Sequence, residues 1–160
     1  MRFLKPYNIP PGFVLVIDTR EQLPLFKDVP GLVTQVKKLD HGDYSVAGYE
    51  DRFCIERKRI SDLTSYITSE RKKTLRKLEA MKHLDWKALV IECEEIELYL
   101  PKQFTKTVPE AYRQTLVSWH LRYNLHTYCS GNRADIERYI LDHAIKFYRI
   151  MTEDQHEVSK

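Results

Sequence analysis

One stretch, Gly42–Asp62, constrains the fold of this 160-residue chain more than any other. Polar and apolar residues roughly alternate along two arms, Asp43–Ala47 and Arg52–Lys58. The residues between the arms, 48–51, are mostly of the kinds that favour turns. The pattern therefore predicts a β-hairpin. Its register remains to be fixed, since a four-residue loop does not determine register firmly.

The register decides whether two carboxylates meet across this hairpin. If Ala47 faces Arg52, then Asp43 lies directly opposite Glu56. Opposed side chains have Cβ atoms about 5 Å apart, and like charges there destabilise a sheet. A divalent cation between the carboxylates would remove that repulsion. Side chains alternate along a strand, so Lys58 shares the face of Glu56. The other face would carry Phe53, Ile55 and Arg57.

The composition predicts one soluble domain. The chain is 42% hydrophobic and 31% charged, which is ordinary for a globular protein that buries a core. No apolar run reaches the length of a membrane span, and the first residues lack the apolar region of a signal peptide. We therefore expect a cytoplasmic or otherwise intracellular protein. The three cysteines are far apart, so neither a zinc site nor a disulfide framework is indicated.

Positive charge is concentrated just after the hairpin. The segment Arg57–Lys82 holds nine basic residues and three acidic ones, although the net charge of the whole chain is only +3. Such a local surface can neutralise phosphates, which favours nucleic-acid binding. A solvated helix face is the alternative interpretation.

Strands and helices alternate along the chain after the hairpin. Besides the hairpin, the predicted strands are Phe13–Ile17, Leu32–Leu39 (with a short helix as the alternative), Lys87–Glu92 and Leu125–Cys129. The predicted helices run from an N-cap at Ser61 to about His83, from Pro109 to about Tyr123, and from Asp135 to about Met151. The charged segment Glu70–Lys73 interrupts the apolar stripe of the first helix as a kink or a solvent-facing turn.

This alternation predicts an α/β sandwich with a mixed central sheet. We expect a Pro-rich lead-in at residues 1–12, a single domain at 13–151, and a polar, disordered tail at 152–160.

The hairpin acids suit phosphodiester hydrolysis. Mg²⁺ takes oxygen ligands, usually one or two carboxylates with water and substrate phosphate, and Asp43 and Glu56 could supply them. Lys58 could orient the attacking water or neutralise developing charge. Asp18 could add a ligand or a supporting acceptor if the first strand lies beside the hairpin. The guanidinium groups able to grip phosphate oxygens are those of Arg20, Arg57 and Arg71.

Each candidate also has a simpler interpretation. Asp43 after a glycine is common turn chemistry, and residues 56–58 could form an exposed strand end. The segment Asp18–Glu21 could be a loop with internal ion pairs, and Asp62 could favour the start of a helix. The joint placement of both acids and the lysine on one face raises the hydrolytic interpretation above these alternatives.

These residues also carry a family resemblance. Gly42-Asp43, followed by Glu56-Arg57-Lys58 and then Asp62, resembles the Gly-Asp-Xn-Glu-Arg-Lys-x-x-x-Asp motif of the XPF-type structure-specific endonuclease domain. Val16–Glu21 is similar to the strand motif that precedes it in that family. Residues 118–123 and the final helix resemble compact bacterial and phage members, so the likeness spans roughly residues 13–150.

The resemblance implies a restriction-endonuclease-like fold of the PD-(D/E)XK type and Mg²⁺- or Mn²⁺-dependent cutting of branched DNA. It assigns the catalytic set to Asp18, Asp43, Glu56 and Lys58, with the three acids as metal ligands. Supporting roles fall to Glu21, Arg20, Arg57 and Asp62. With the basic helix, the predicted DNA contacts are Arg59, Arg71, Lys72, Lys73, Arg76 and Lys77.

The sequence departs from the family at two points. Glu70 stands where a glycine often precedes the basic position that Arg71 matches. The helix-hairpin-helix module and helicase region of larger relatives are not recognisable, and those relatives grip the duplex and dimerise through that module.

The sequence thus favours an endonuclease acting near single-strand/double-strand junctions of DNA. A catalytically inactive DNA-binding module and a subunit that recruits a partner nuclease are the alternatives. A homodimer through the last two helices is also open, if their aromatic side chains, Trp119, Tyr123, Phe147 and Tyr148, cannot all be buried in one chain.

Overall fold

A computed structural model of the chain describes residues 7–21 and 25–158. Within them a six-stranded sheet is surrounded by helices. The strands are β1 (Leu15–Ile17), β2 (Thr34–Val36), β3 (Tyr44–Val46), β4 (Phe53–Arg59), β5 (Trp86–Glu92) and β6 (Leu125–Cys129). The helices are α1 (Ile60–Ile67), α2 (Arg71–Ala80), α3 (Pro109–Tyr123) and α4 (Arg133–Val158), with a 3₁₀ helix at Glu95–Tyr99.

The sheet is mixed, as predicted. Its strand order is β2-β1-β3-β4-β5-β6. Strand β3 is antiparallel to both β1 and β4, whereas β1 and β2 are parallel, and β4, β5 and β6 are parallel to one another. The hairpin β3-β4 therefore lies at the centre of the sheet, where each of its strands has a neighbour on both edges.

Two apolar cores lie on opposite faces of this sheet. On one face, Phe53 and Ile55 of β4 pack with Ile140 of α4. On the other, Leu89 of β5 packs with α1, α3 and the 3₁₀ helix around Trp119. Phe53 and Ile55 therefore point to the α4 side, as the alternation along β4 predicted.

The hairpin adopts the predicted register. Tyr44 pairs with Ile55, which is the frame that places Ala47 opposite Arg52. Two hydrogen bonds close the turn: the backbone N–H groups of Arg52 and Phe53 both donate to the carbonyl of Tyr49, at 2.9 and 3.0 Å.

The helix after the hairpin differs from the prediction. Ser61 is not its N-cap, because β4 runs directly into α1 and Arg59 takes the capping position without a side-chain hydrogen bond. The predicted single helix is two helices, α1 and α2. Between them the N–H of Glu70 donates to Ser65 O at 2.8 Å, and Thr68 Oγ1 donates to Thr64 O at 2.6 Å. These bonds end α1 just before the charged segment that predicted an interruption.

The C-terminal elements largely follow the sequence. The structure confirms α3, β5 and β6 to within a residue of their predicted ends. Helix α4 begins at Arg133, where the Asn132 side chain accepts the N–H of Ala134 at 2.8 Å, and it continues to Val158. Residues 152–158 are thus helical where a disordered tail was predicted, since nothing in this glycine- and proline-free segment interrupts the helix.

Two further expectations meet the structure only in part. Part of the lead-in, residues 1–6, lies outside the described residues; Pro11 contacts α4 through a 3.1 Å hydrogen bond from Tyr148 to its carbonyl. The domain boundaries stay a prediction. Trp119 is buried and the other three aromatic side chains are half-buried, so one chain covers most of the surface on which the dimer alternative depended.

Candidate active site

The hairpin acids line a cleft between the sheet and helix α2. Asp43, Glu56 and Lys58 share it with Arg20 and with α2 side chains that include Lys77, and its volume is about 600 Å³. A second cleft of about 480 Å³ adjoins it and shares Arg20, Asp43 and Lys58. The structure therefore brings the predicted acids and lysine together, with Asp43 between the two clefts.

Asp43 is held by main-chain hydrogen bonds from both neighbouring strands. Its N–H donates to Ile55 O and its carbonyl accepts the N–H of Asp18, each at 2.8 Å. Its carboxylate Oδ2 accepts the N–H of Arg57 at 2.8 Å. The pKa of Asp43 is raised to about 6, chiefly by burial. The hydrogen bond from Arg57 lowers this pKa, whereas the nearby charge of Glu56 raises it.

The glycine before Asp43 is required by this close approach. Gly42 has a φ of +73°, and a Cβ there would lie 2.9 Å from Ile55 O. Only glycine accepts both the positive φ and the short distance to β4. The Gly-Asp pair therefore positions Asp43 against β4 rather than serving as a surface turn.

Glu56 is nearly buried, and the neighbouring polar groups contact one of its two carboxylate oxygens. Its Oε1 accepts hydrogen bonds from Tyr66 Oη and Lys77 Nζ, both at 2.6 Å. Lys58 Nζ lies 3.8 Å from the same oxygen, and the side chain of Glu56 is 13% exposed. Among the described residues, none donates a hydrogen bond to Oε2, which leaves that oxygen for another ligand.

Sequence reasoning missed Tyr66 and placed Lys77 differently. Tyr66 lies in α1 between the inward-facing Leu63 and Ile67, so helical spacing contained a signal for an inward position. Its contact with Glu56 depends on how α1 packs on the sheet, which spacing does not give. Lys77 was expected on the outer DNA-binding surface, but its ammonium turns into the cleft.

Asp18 is not brought together with the hairpin acids as a third ligand. Its Oδ1 accepts the backbone N–H and Nε of Arg20, at 2.9 and 2.7 Å, and its Oδ2 accepts the N–H of Leu39 at 2.7 Å. Burial by itself would raise the pKa of Asp18, but these hydrogen bonds outweigh it and lower the pKa to about 2. Because both oxygens are occupied, the geometry favours a positioning role in which Asp18 holds Arg20 at the cleft.

Arg57 does not lie where it could bind phosphate oxygens, which is one of the roles that the sequence suggested for it. Its side chain is 6% exposed and its Nε donates to Glu92, while Glu21 Oε1 lies 3.4 Å from its guanidinium. A hydrogen bond of 3.4 Å to the Tyr44 hydroxyl adds to this network. Arg57 therefore stabilises the sheet beneath the second cleft, in the supporting role that the sequence also assigned to it.

The remaining predicted residues lie around the two clefts. Asp62 is in the first turn of α1, and with Glu21 and Arg59 it lines the second cleft. Arg71 contacts α3 through a 3.3 Å hydrogen bond to Thr115. The exposed basic side chains along α2 are Arg71, Lys72, Lys73 and Arg76, of which Lys73 lines the larger cleft.

The donor set fits a hard divalent cation such as Mg²⁺ or Mn²⁺. Asp43 and Glu56 are two of the four acidic residues that line the larger cleft, with Asp40 and Glu70, and Mg²⁺ usually takes one or two carboxylates from a protein. Glu21 lines the second cleft, and its Oε2 is buried without a hydrogen-bond partner in the part of the chain that the structure describes. Over the same residues, no group of three or more acidic, histidine or cysteine side chains surrounds a common point.

The mixed sheet with this hairpin at its centre is a restriction-endonuclease-like fold. The sequence profile of the ERCC4 domain matches residues 17–142. The chain therefore belongs to the ERCC4 domain family, which confirms the resemblance found in its motifs. A search of curated protein sequences gave no match.

Solved structures agree on the fold. XPF from Aeropyrum pernix superimposes with a TM-score of 0.63 at 18% identity, over 82% of this chain and 59% of that chain. XPF from Aeropyrum pernix in complex with DNA gives the same TM-score and identity, over 88% of this chain and 66% of that chain. The present chain thus spans less than two thirds of the length of either structure. No helix among residues 7–21 and 25–158 has the length and apolar character needed to cross a membrane.

Proposed function

We propose that this protein is a Mg²⁺- or Mn²⁺-dependent DNA endonuclease that hydrolyses phosphodiester bonds near single-strand/double-strand junctions. The observation that carries the proposal is the meeting of Asp43, Glu56 and Lys58 in one cleft. DNA binding alone needs no such pair of carboxylates, so the intact set favours hydrolysis over a binding module. A substrate of this kind fits the predicted intracellular location.

In this proposal Asp43 and Glu56 would hold the metal through their carboxylates. When bound, the metal would neutralise the scissile phosphate and make water a stronger nucleophile. Lys58 is held over the ring of Tyr66, with its Nζ 4.3 Å from the ring centroid, and so it can orient the attacking water. Asp18 contributes by holding Arg20 beside Asp43, where the guanidinium can contact a phosphate.

The charge around the cleft supports a DNA substrate. Helix α2 carries exposed basic side chains along one wall, and Arg20 and Arg59 stand at the adjoining cleft. Such a series of cations neutralises successive phosphates and releases counter-ions. The preference for branched DNA rests on family membership and on the motif resemblance.

A cleavage panel tests this proposal. We expect end-labelled flap and fork DNA to be cut in Mg²⁺ or Mn²⁺, with slower or no cutting of blunt duplex and single strands. Chelation by EDTA and the Asp43→Asn variant should both stop the reaction. If no substrate is cut, or if Asp43→Asn cuts as fast as the wild type, the proposed hydrolysis is wrong. Binding of flap DNA without cutting would favour the inactive DNA-binding module instead.

Cleavage should fall steeply in mild acid, because Asp43 has a pKa raised to about 6. Below that pH the carboxyl gains a proton and no longer acts as a metal ligand, so the rate should fall by about tenfold per pH unit. Raising the Mn²⁺ concentration should move the midpoint to lower pH, since metal and proton compete for the same oxygens. Initial rates between pH 5 and pH 8 at two Mn²⁺ concentrations measure both effects. A midpoint that does not respond to Mn²⁺ would contradict the assignment of Asp43 as a ligand.

A further inference from the structure

Lys77 makes the shortest ionic contact in the larger cleft, and the proposed hydrolysis does not use it. Its Nζ lies 2.6 Å from Glu56 Oε1 and 3.2 Å from Tyr66 Oη. The lysine comes from α2, whereas Glu56 comes from the central strand β4. Of the α2 lysines on the predicted DNA-binding surface, all of which the structure describes, Lys77 alone forms an ion pair with a proposed metal ligand.

An ammonium and a divalent cation compete for a carboxylate at this distance. A cation bound by Glu56 would lie within a few ångströms of the Lys77 ammonium, and their repulsion is strong in a partly buried cleft. Lys58 is already 3.8 Å from the same oxygen, so a further positive charge beside Glu56 meets two ammonium groups. Metal binding is therefore favoured when one of the lysines moves away.

Lys77 is better placed to move than Lys58. Lys58 is 4.3 Å from the centroid of the Tyr66 ring, whereas Lys77 is 5.6 Å from it, so the ring holds Lys58 more strongly. The side chain of Lys77 is 33% exposed, against 23% for Lys58, and it lies on the wall of the cleft. A rotation of its flexible stem would carry the ammonium into the space that a phosphate would enter.

We infer that Lys77 is an exchange lysine: it competes with the metal for Glu56, and metal binding turns its ammonium toward the substrate phosphate. This inference rests on the proposed metal-dependent cleavage, which it deepens by naming a further residue that contacts substrate. Its consequence is two effects of opposite sign. Removing the ammonium strengthens binding of the metal alone and weakens catalysis.

Titration of the 160-residue chain with Mn²⁺ alone, followed by electron paramagnetic resonance, separates the two effects. We expect Lys77→Met to bind Mn²⁺ about tenfold more tightly than the wild type, because a charged hydrogen bond to the ligand is lost. At saturating Mn²⁺ it should cut flap DNA about a hundredfold more slowly, the loss expected for one cation at the reacting phosphate. Lys77→Arg keeps the charge and should restore the wild-type Mn²⁺ affinity.

Two further variants control this experiment. Lys37→Met removes an ammonium paired with Glu50 at 3.0 Å, outside the clefts, and should change neither Mn²⁺ affinity nor cleavage. In the Glu56→Gln background, Lys77→Met should no longer alter Mn²⁺ affinity, since the shared carboxylate is gone. Circular dichroism confirms that each variant is folded.

The outcomes distinguish this inference from the proposed function. If the wild type binds Mn²⁺ and cuts DNA but Lys77→Met binds Mn²⁺ equally or more weakly, only the exchange role of Lys77 is overturned. Tighter Mn²⁺ binding with unchanged cleavage would also overturn it, because the ammonium would then have no part at the phosphate. If the wild type neither binds Mn²⁺ nor cuts DNA, the proposed function and the exchange role both fall.

Discussion

Glu56→Gln is expected to slow cleavage of flap DNA by about a thousandfold at saturating metal, the upper range for loss of one preorganised charge at a reacting group. Glutamine has nearly the same shape, so its amide oxygen can still accept the hydrogen bond from Tyr66, which measures 2.6 Å to Glu56. The negative charge that binds the cation is lost, and the ammonium of Lys77 loses its partner. The variant should therefore fold normally and fail in catalysis.

Single-turnover rates on one labelled flap substrate, compared at several Mn²⁺ concentrations, measure this loss. Glu79→Gln is the matched control, because Glu79 is an exposed carboxylate of α2 that pairs with Lys82. We expect this control to cut at nearly the wild-type rate. A Glu56→Gln protein that keeps a tenth or more of the wild-type rate would remove Glu56 from the metal site.

The sequence was sufficient to predict the hairpin because two local signals agreed. Alternating polarity assigned the side chains of β4 to the two faces, and the turn residues at 48–51 marked where the chain reverses; the register between Tyr44 and Ile55 was an assumption that the structure confirms. Both signals act over a few residues, and neither depends on the rest of the fold. The meeting of Asp43, Glu56 and Lys58 in one cleft follows from them.

Contacts between elements distant in sequence could not be predicted in the same way. The position of Lys77 depends on the break between α1 and α2, where a backbone bond from Glu70 to Ser65 redirects the chain. A single continuous helix would have carried Lys77 elsewhere. Asp18 shows the same limit: its partner Arg20 is near in sequence, but the N–H of Leu39 that fills its other oxygen comes from a distant segment.

Arg57 is the residue whose role changed most between sequence and structure. Beside Glu56 and Lys58, it was considered as a group that grips phosphate oxygens. Its partners Glu92 and Glu21 come from β5 and from the segment after β1, and they enclose its guanidinium. Such a network forms only when three separate parts of the chain meet on the sheet, so local sequence carries little signal for it.

This enclosure gives the largest stability effect that we expect. Arg57→Met should lower the free energy of unfolding by about 3–5 kcal/mol, the range for removing one partner of a buried ion pair. Methionine fills much of the space but leaves the carboxylates of Glu21 and Glu92 without their shared cation. Glu21 Oε2 is buried and has no hydrogen-bond partner among the described residues, so water cannot offset the loss at that oxygen. Arg57→Lys should recover only part of the stability, since an ammonium cannot reproduce the several contacts of a guanidinium.

Urea denaturation followed by circular dichroism measures this change. Arg52→Met is the control, because Arg52 also forms an ion pair, with Asp85 at 2.5 Å, but both side chains are 44% exposed. An exposed pair of this kind contributes about 1 kcal/mol or less, so the two arginines of the same strand region should differ clearly in their effects. Equal and small losses for both variants would show that solvent reaches the Arg57 network and screens it. A large loss for Arg57→Met alone would mean that the arginine of the Glu-Arg-Lys motif serves the fold, and that the phosphate contacts must come from Arg20, Arg59 and helix α2.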